Sequence, residues 1–464
     1  MQKTCSRRQF LATAGVAVAT PLIIPRSVLG QNGQPSANET IAVAIIGVGG
    51  RGSGVYGEIK GNPGTAMKVV AACDVMQTRV SNFVNHNAAD FKPEQGYTDY
   101  RKMLEKEKPD AAMVFTATHQ RALATVTAMQ MGCHVYIEKP MALTIEEGRY
   151  LVNAARKYKR VTQVGTQQRS LPLCKWACKQ VQDGVIGKVK IVEAPNFVGP
   201  NIWEDKPGQP YPEGMNDESW DRWTDQAVWR PYHRDLQFGW DNWWDYDAGG
   251  RTFGVSGWGT HSYDQVNMAL GMNETGPVEI LLEEPSEIRA SGKFDNRQLD
   301  PDETGADYYH MANVTGPRGK MTMWFADGIE MRLHLDGDRG PGLGCIITGE
   351  KGKLEINRHK LASNPREIAA NIPEEFRNRR SETIYHIDNW LECIKTGAKC
   401  TADVEYGQRS TTLCELVNIV RATAPVGEKI GWDPVKERFT NNDKGNAMLS
   451  RPRRKGYELP ELTY

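Results

Sequence analysis

Apolar and polar positions alternate in blocks along the first third of the chain. Residues 41–49, "IAVAIIGVG", form a continuous β-branched run, which predicts a strand buried on both faces. Residues 67–75, "MKVVAACDV", repeat the pattern, and the glycine-rich stretch between the two predicts a helix. Residues 100–110 read as helix, 111–118 as strand, and 119–132 as a helix closed by Gly132. A strand at 133–140, a helix at 144–159 opened by Thr144 with Glu147 three residues on, and a strand at 160–169 continue the series. Such alternation predicts a parallel sheet covered on both faces.

Beyond residue 169 the rhythm changes. One helix (173–184) and one strand (188–197) precede a long segment, 198–252, rich in tryptophan, tyrosine, proline and glycine. Eight of the twelve tryptophans fall between Trp203 and Trp258, too aromatic a stretch for disorder. Two readings stay open: a satellite aromatic core, or a substrate wall where indole faces meet sugar rings. Residues 306–316, 319–335 and 344–357 read as antiparallel strands, and 381–397 and 404–422 as the last helices. The fold class is therefore α/β: an N-terminal doubly wound parallel sheet of Rossmann type over residues 40–165, then an α+β domain over 166–464 with a large, mostly antiparallel open sheet and a Trp-rich insertion at 198–252.

Composition narrows the partner. The 57 basic and 57 acidic residues balance without long charged blocks, which excludes a general electrostatic affinity for nucleic acid or anionic lipid and leaves a small molecule. Residues 1–30 carry Arg7 and Arg8, an apolar run at 10–24 and small residues before a polar linker at 31–39. That is the layout of an export signal, with a run too short for a comfortable membrane span. Ser6-Arg7-Arg8-Gln9-Phe10-Leu11 resembles the twin-arginine signal. The expectation is a periplasmic or otherwise extracytoplasmic protein, exported folded, with no stable membrane span after processing; retention of the leader as an anchor remains open. Nine cysteines without a repeated C-x-x-C signal neither zinc nor a disulfide framework, so no metal site is expected.

Gly47-x-Gly49-x-x-Gly52 lies where the first strand meets the first helix, with Asp74 closing the second strand. In that context the loop, including Gly50 and Arg51, predicts a dinucleotide site. Glycines let backbone approach a pyrophosphate at a helix N-terminus, and Asp74 would accept from a ribose and favour NAD, while Arg51 keeps NADP open. Further on, "GVSGWGTHSYDQVNMALG" places His261 and Asp264 three residues apart at a helix start, as active-site groups or as a capped helix.

Residues 115–148, with Thr116, Thr118, His119 and the strand ending Glu138-Lys139-Pro140, together with His261-x-x-Asp264 and the segments "HIDNWLECIKTG" and "DVEYGQRS", resemble the glucose–fructose oxidoreductase, inositol dehydrogenase and rhizopine-catabolism (Gfo/Idh/MocA) family, closest to an exported, tryptophan-rich branch. The resemblance implies that Thr116, His119, Glu138 and Lys139 border the cofactor and that Lys139 stabilises alkoxide character as hydride leaves. It makes His261 the general base, with Asp264 holding its ring, and Arg169, Trp243, Trp258 and Tyr263 candidate substrate contacts. It also implies a homo-oligomer built through the C-terminal sheet. The expected activity is that of an exported NAD(P)-dependent oxidoreductase acting on a CH–OH group of a sugar, polyol or glycoside, with the cofactor tightly bound. An NAD-dependent glycosidase working by transient oxidation and elimination, or a non-catalytic carbohydrate-binding protein, stays open. The family commonly has an aspartate four positions before the histidine; here that position is Gly257.

Overall fold

Continuous apolar runs with few polar interruptions can only be strands buried on both faces, and they form the first layer here. In this computed structural model, which describes residues 40–62, 64–290, 315–336 and 341–462, strands and helices alternate as β1 (Ile41–Ile46), α1 (Gly50–Lys60), β2 (Met67–Cys73), α2 (Gln77–His86), β3 (Gly96–Tyr97), α3 (Tyr100–Glu107), β4 (Ala111–Val114), α4 (Thr118–Gln130), β5 (His134–Ile137), α5 (Ile145–Lys157) and β6 (Thr162–Val164). All pairs are parallel, in the order β3-β2-β1-β4-β5-β6. Chain direction across the sheet reverses between β1 and β4, and ligands of such sheets bind outside the carboxyl ends of the strands at that switch point. Gly47, Asp74, Thr116 and Glu138 all follow a strand on this edge. The export leader and linker expected at 1–39, and most of the strand expected at 306–316, lie outside the described residues.

The second layer begins with α6 (Pro172–Gln182), β7 (Val189–Asn196), α7 (Asp217–Thr224) and α8 (Trp258–Leu270). Then follow β8 (Glu279–Leu282), β9 (Glu287–Ala290), β10 (Thr315–Arg318), β11 (Met321–Trp324), β12 (Glu330–Asp336), β13 (Cys345–Gly349), β14 (Lys353–Ile356), β15 (Leu361–Asn364), α9 (Glu382–Thr396), α10 (Val404–Thr423), β16 (Lys429–Asp433) and β17 (Arg438–Phe439). Nine strands make one mixed sheet, β15-β14-β13-β7-β12-β11-β8-β16-β17, antiparallel except for β7 against β12. Alternation decides its faces: Val192, Ala194, Met321, Met323 and Ile347 are buried beneath α6, α8 and α10, whereas Ile191, Leu281 and Ile346 on the other face are half-buried. Cys174 and Cys178 join that core as small apolar groups, and all eight cysteines of the described residues are buried and unpaired.

The Trp-rich insertion is a satellite core. Trp203, Trp220, Trp223, Tyr232, Leu236 and Tyr246 pack together with Met76, which follows β2, so the insertion docks on the Rossmann sheet. Trp220 and Trp223 stack with centroids 4.6 Å apart and an interplanar angle of 6°. Among the described residues, no helix is long and apolar enough to cross a membrane, and no His/Cys/Asp/Glu group could hold a metal ion.

Candidate active site

The glycine loop is built for close approach. Gly47 has φ +94°, and a Cβ there would lie 2.8 Å from the Phe115 carbonyl carbon; a Cβ on Gly52 would lie 2.1 Å from the Gly47 carbonyl oxygen. Only glycine serves at either position. Gly49, the N-cap of α1, offers no side-chain cap, so the first-turn N–H groups face a cavity of about 280 Å³ lined by Gly47, Gly49, Gly50, Arg51, Asp74, Thr116 and Glu138. Asp74 accepts from the Val48 and Met76 N–H groups at 3.2 and 3.0 Å. Burial raises its pKa while Arg79 opposes. A helix end with free donors, a carboxylate for a ribose and a cavity between them match the donor set of a dinucleotide. Arg51 donates to Glu138 at 3.4 Å, and the arginine that biases Asp74 is Arg79.

Three of the expected cofactor contacts, Gly52, His119 and Lys139, are not among the residues that line the cavity. His119 is 0 % exposed and does not line the cavity; its Nε2 meets the Trp223 carbonyl at 2.8 Å and its ring lies edge-on to Trp223 and Tyr246. Burial takes its pKa down to about 3, so it fastens the insertion to α4 as a neutral group. Conversely, Trp223, Gln237, Phe238 and Trp240 of the insertion, and Tyr457 near the C-terminus, line the cavity. Nothing in their local sequence marks them; they reach it through tertiary packing.

Two elements meet at Gly257. Lys139, after β5, donates from Nζ to the Gly257 carbonyl at 2.9 Å. Burial lowers its pKa to about 8, with Glu138 pulling upward. Gly257 is the N-cap of α8, and His261 lies one turn further on. His261 is 6 % exposed and its Nδ1 has no hydrogen-bond partner. Burial, then Arg358 and Lys139, hold the imidazole pKa well below its ordinary value, so the ring is neutral.

Asp264 does not orient that ring. Both of its oxygens accept from Arg169 Nε at 2.8 Å, and Oδ1 also accepts from the Ser410 hydroxyl. Arg169 also donates to Asn273 at 2.7 Å and lies over the Tyr406 ring, so it is a buried strut rather than a substrate contact. Tyr263 is likewise core, its hydroxyl donating to the Pro195 carbonyl at 3.2 Å. Trp243 belongs to the insertion's cluster, edge-on to Trp203 at 4.9 Å. Trp258 is half-buried against Phe253. At position 257 a Cβ would lie 2.0 Å from the Arg251 carbonyl oxygen and 2.6 Å from that of Gly250. No side chain, aspartate included, can stand there while the 250–251 backbone covers it.

Comparison with known proteins agrees with this architecture. Residues 41–166 match the oxidoreductase family's NAD-binding Rossmann fold and residues 301–459 its C-terminal alpha/beta domain. The alpha-N-acetylgalactosaminidase of Shewanella oneidensis is 28% identical over 172 residues, 32% of this chain; the chain spans only 37% of that relative's length. The fold is shared with the aldose-aldose oxidoreductase of Caulobacter crescentus complexed with glycerol (TM-score 0.56, 15% identity, 84% of this chain and 99% of that one). It is shared too with the WlbA dehydrogenase of Bordetella pertussis in complex with NADH and UDP-GlcNAcA (TM-score 0.53, 19% identity, 85% and 99%). With both domain types matched and the nucleotide cavity at the switch point of its parallel sheet, the chain belongs to the Gfo/Idh/MocA family of NAD-binding oxidoreductases.

Proposed function

We propose that this protein transfers hydride between NAD and a hydroxyl-bearing carbon of a sugar, polyol or glycoside. The observation that carries the reading is the Lys139–Gly257 hydrogen bond, which draws the end of β5 onto the start of the helix that bears His261. Bound NAD supplies the hydride acceptor. Lys139 places an ammonium at the substrate oxygen and stabilises the alkoxide character that develops as the C–H bond breaks. Neutral His261 has nitrogen lone-pair capacity that the fold leaves unused, and takes the hydroxyl proton as the C=O bond forms. Neither role requires Asp264.

The leader at residues 1–30 makes this an exported enzyme, loaded with nucleotide before it crosses the membrane. A soluble cofactor is scarce outside the cytoplasm, so a second substrate restores the oxidised form in place. Cover from Phe238, Trp240 and Tyr457 around the cavity supports retention, and the half-buried face of the nine-stranded sheet is where a second copy would pair. A glycosidase reading, in which transient oxidation acidifies a neighbouring C–H and elimination expels the aglycone, draws support from the relative named alpha-N-acetylgalactosaminidase. Nucleotide released from exported protein is identified by mass spectrometry, and the same protein is offered free sugars and chromogenic glycosides. NAD(H) in the protein with oxidation of a free sugar is the expected result. Aglycone release without net oxidation selects the glycosidase, and protein empty of nucleotide overturns the retained-cofactor reading.

A further inference from the structure

A second cavity, of about 530 Å³, opens at the edge of the parallel sheet opposite the nucleotide site, where β5 and β6 begin. Its walls are the starts of those strands, the C-terminal end of α5 and the loop that follows α9. Five of its lining residues are basic, His134, Arg156, Lys159, Arg160 and Lys399, against one acidic residue, Asp403.

Which of these groups are already engaged decides what the cavity can hold. Arg156 donates to both oxygens of Asp403, and Oδ1 also accepts from the Glu405 N–H at 3.0 Å, so the carboxylate is taken. Lys399 donates to Glu274 at 2.7 Å and lies 4.4 Å from the centre of the Tyr406 ring. Among the described residues Lys159 and Arg160 are in no ion pair, and Arg160 Nε has no hydrogen-bond partner. His134 Nδ1 accepts from the Val161 N–H at 2.9 Å, which leaves the proton of the neutral ring on Nε2 as a further donor. The Lys399 and Cys400 N–H groups, in the loop after α9, have no acceptor among the described residues either. Asp110 does not line the cavity, and it accepts from the Ala42 N–H at 2.9 Å. What the lining leaves unengaged is therefore a set of donors, two of them fully charged.

Basic residues at a helix C-terminus offset the dipole, and exposed Lys159 needs no other reason to be there. That account does not cover Arg160. Its half-buried guanidinium is fixed by packing rather than by an acceptor, and its fork is unfilled. A donor left in that state is costly, and an oxyanion removes the cost with two parallel charge-assisted hydrogen bonds. We propose that this cavity is a binding site for a tetrahedral oxyanion, phosphate or sulfate, gripped by Arg160 and Lys159. Its volume exceeds what a lone oxyanion fills and lies in the range of pockets for small organic molecules, so the oxyanion is expected as an ester on a sugar-sized group. The site is independent of the hydride-transfer reading.

The full-length protein with its nucleotide is titrated by calorimetry at constant ionic strength. The probes are inorganic phosphate, inorganic sulfate, glucose 6-phosphate and glucose 6-sulfate, with sodium chloride and glucose as controls. The oxyanions should bind and raise Tm by mass action, and the controls should do neither. Arg160→Gln should weaken oxyanion binding at least tenfold, the cost of losing a bidentate charged contact, while nucleotide content stays as in the parent. Esters that bind at least tenfold tighter than the inorganic ions identify an organic ester as the ligand, whereas equal affinities identify the free ion; either result upholds the oxyanion site. Binding no stronger than that of chloride overturns it, as does unchanged affinity in Arg160→Gln. Should Arg160→Gln fail to fold, Lys159→Gln alters an exposed side chain and decides instead: weakened oxyanion binding upholds the site, and unchanged binding refutes it.

Discussion

Half-buried Lys139 and buried His261 would need opposite protonation states to cooperate; burial lowers both pKa values, and because their ordinary values differ, Lys139 stays charged up to about pH 8 while His261 stays neutral. In the proposed reaction Lys139 acts protonated: burial lowers its pKa to about 8, so its charge is present below that pH and lost above it. His261 acts neutral, and a pKa held well below its ordinary value keeps the free base through mildly acidic pH. The expected kcat/KM profile is therefore flat from below neutrality to about pH 8 and falls roughly tenfold per unit beyond. Lys139→Met should cut turnover by about 10²–10³, the usual cost of losing one group that stabilises a developing oxyanion. Nucleotide content, read from absorbance of the purified protein, should be unchanged; loss of the nucleotide instead would make Lys139 a binding residue. At this scale the sequence was informative where function is local. The glycine loop, Asp74 and the Glu-Lys-Pro strand end are each spelled by adjacent residues. Asp264 misled because spacing of three places it on the face of His261, while its true partner, Arg169, lies 95 residues away and is invisible to a linear reading.

Helix α8 begins at a position that tolerates no side chain, and the consequence belongs to the element rather than to one contact. Gly257→Ala would push a methyl into the Arg251 carbonyl. Relief requires moving either the 250–251 backbone or the helix start, and overpacking of this kind costs about 1–3 kcal/mol. Tm should fall, and kcat should fall further than stability alone predicts, because the carbonyl that holds Lys139 shifts with the helix start. Wild-type kcat in a folded Gly257→Ala protein would show that the Lys139–Gly257 contact is dispensable. Element type was legible wherever burial on both faces forces continuous apolar runs, as in β1, β2 and β4. The pattern is weaker for α2, where only Val80, Phe83 and Val84 are buried, and for β3, two residues long. Aromatic content correctly marked the insertion as ordered, yet composition carries no information about which surface an aromatic cluster will cover.

Across the molecule, the C-terminal segment holds the insertion against the Rossmann layer. Arg453 pairs with Glu147 on α5 and donates to Gln226 at 2.7 Å, while Gln226 donates in turn to the His119 carbonyl at 2.7 Å. Arg454 pairs with Asp221 on α7 at 2.7 Å, and the Tyr457 hydroxyl donates to the same carboxylate at 2.6 Å while its ring lines the nucleotide cavity. Arg451 lies over the Trp244 ring at 4.5 Å. The strap therefore links α5, α7 and the cavity wall, which Tyr457, Trp223 and Trp240 help to line. Arg453→Ala takes the cation from buried Glu147, which keeps only its Gln226 and Leu143 donors, and loss of a buried ion-pair partner costs about 3–5 kcal/mol. A protein carrying Arg453→Ala and Tyr457→Ala should thus release nucleotide at least tenfold faster, followed by the loss of bound cofactor on dilution into a nucleotide-free buffer. If retention is the purpose of the strap, added NAD should restore both thermal stability and activity to the double variant, since ligand binding raises the stability of the folded state by mass action. Unchanged release would mean that the cavity is closed from the Rossmann side alone, and that the strap serves only to fix the insertion in place.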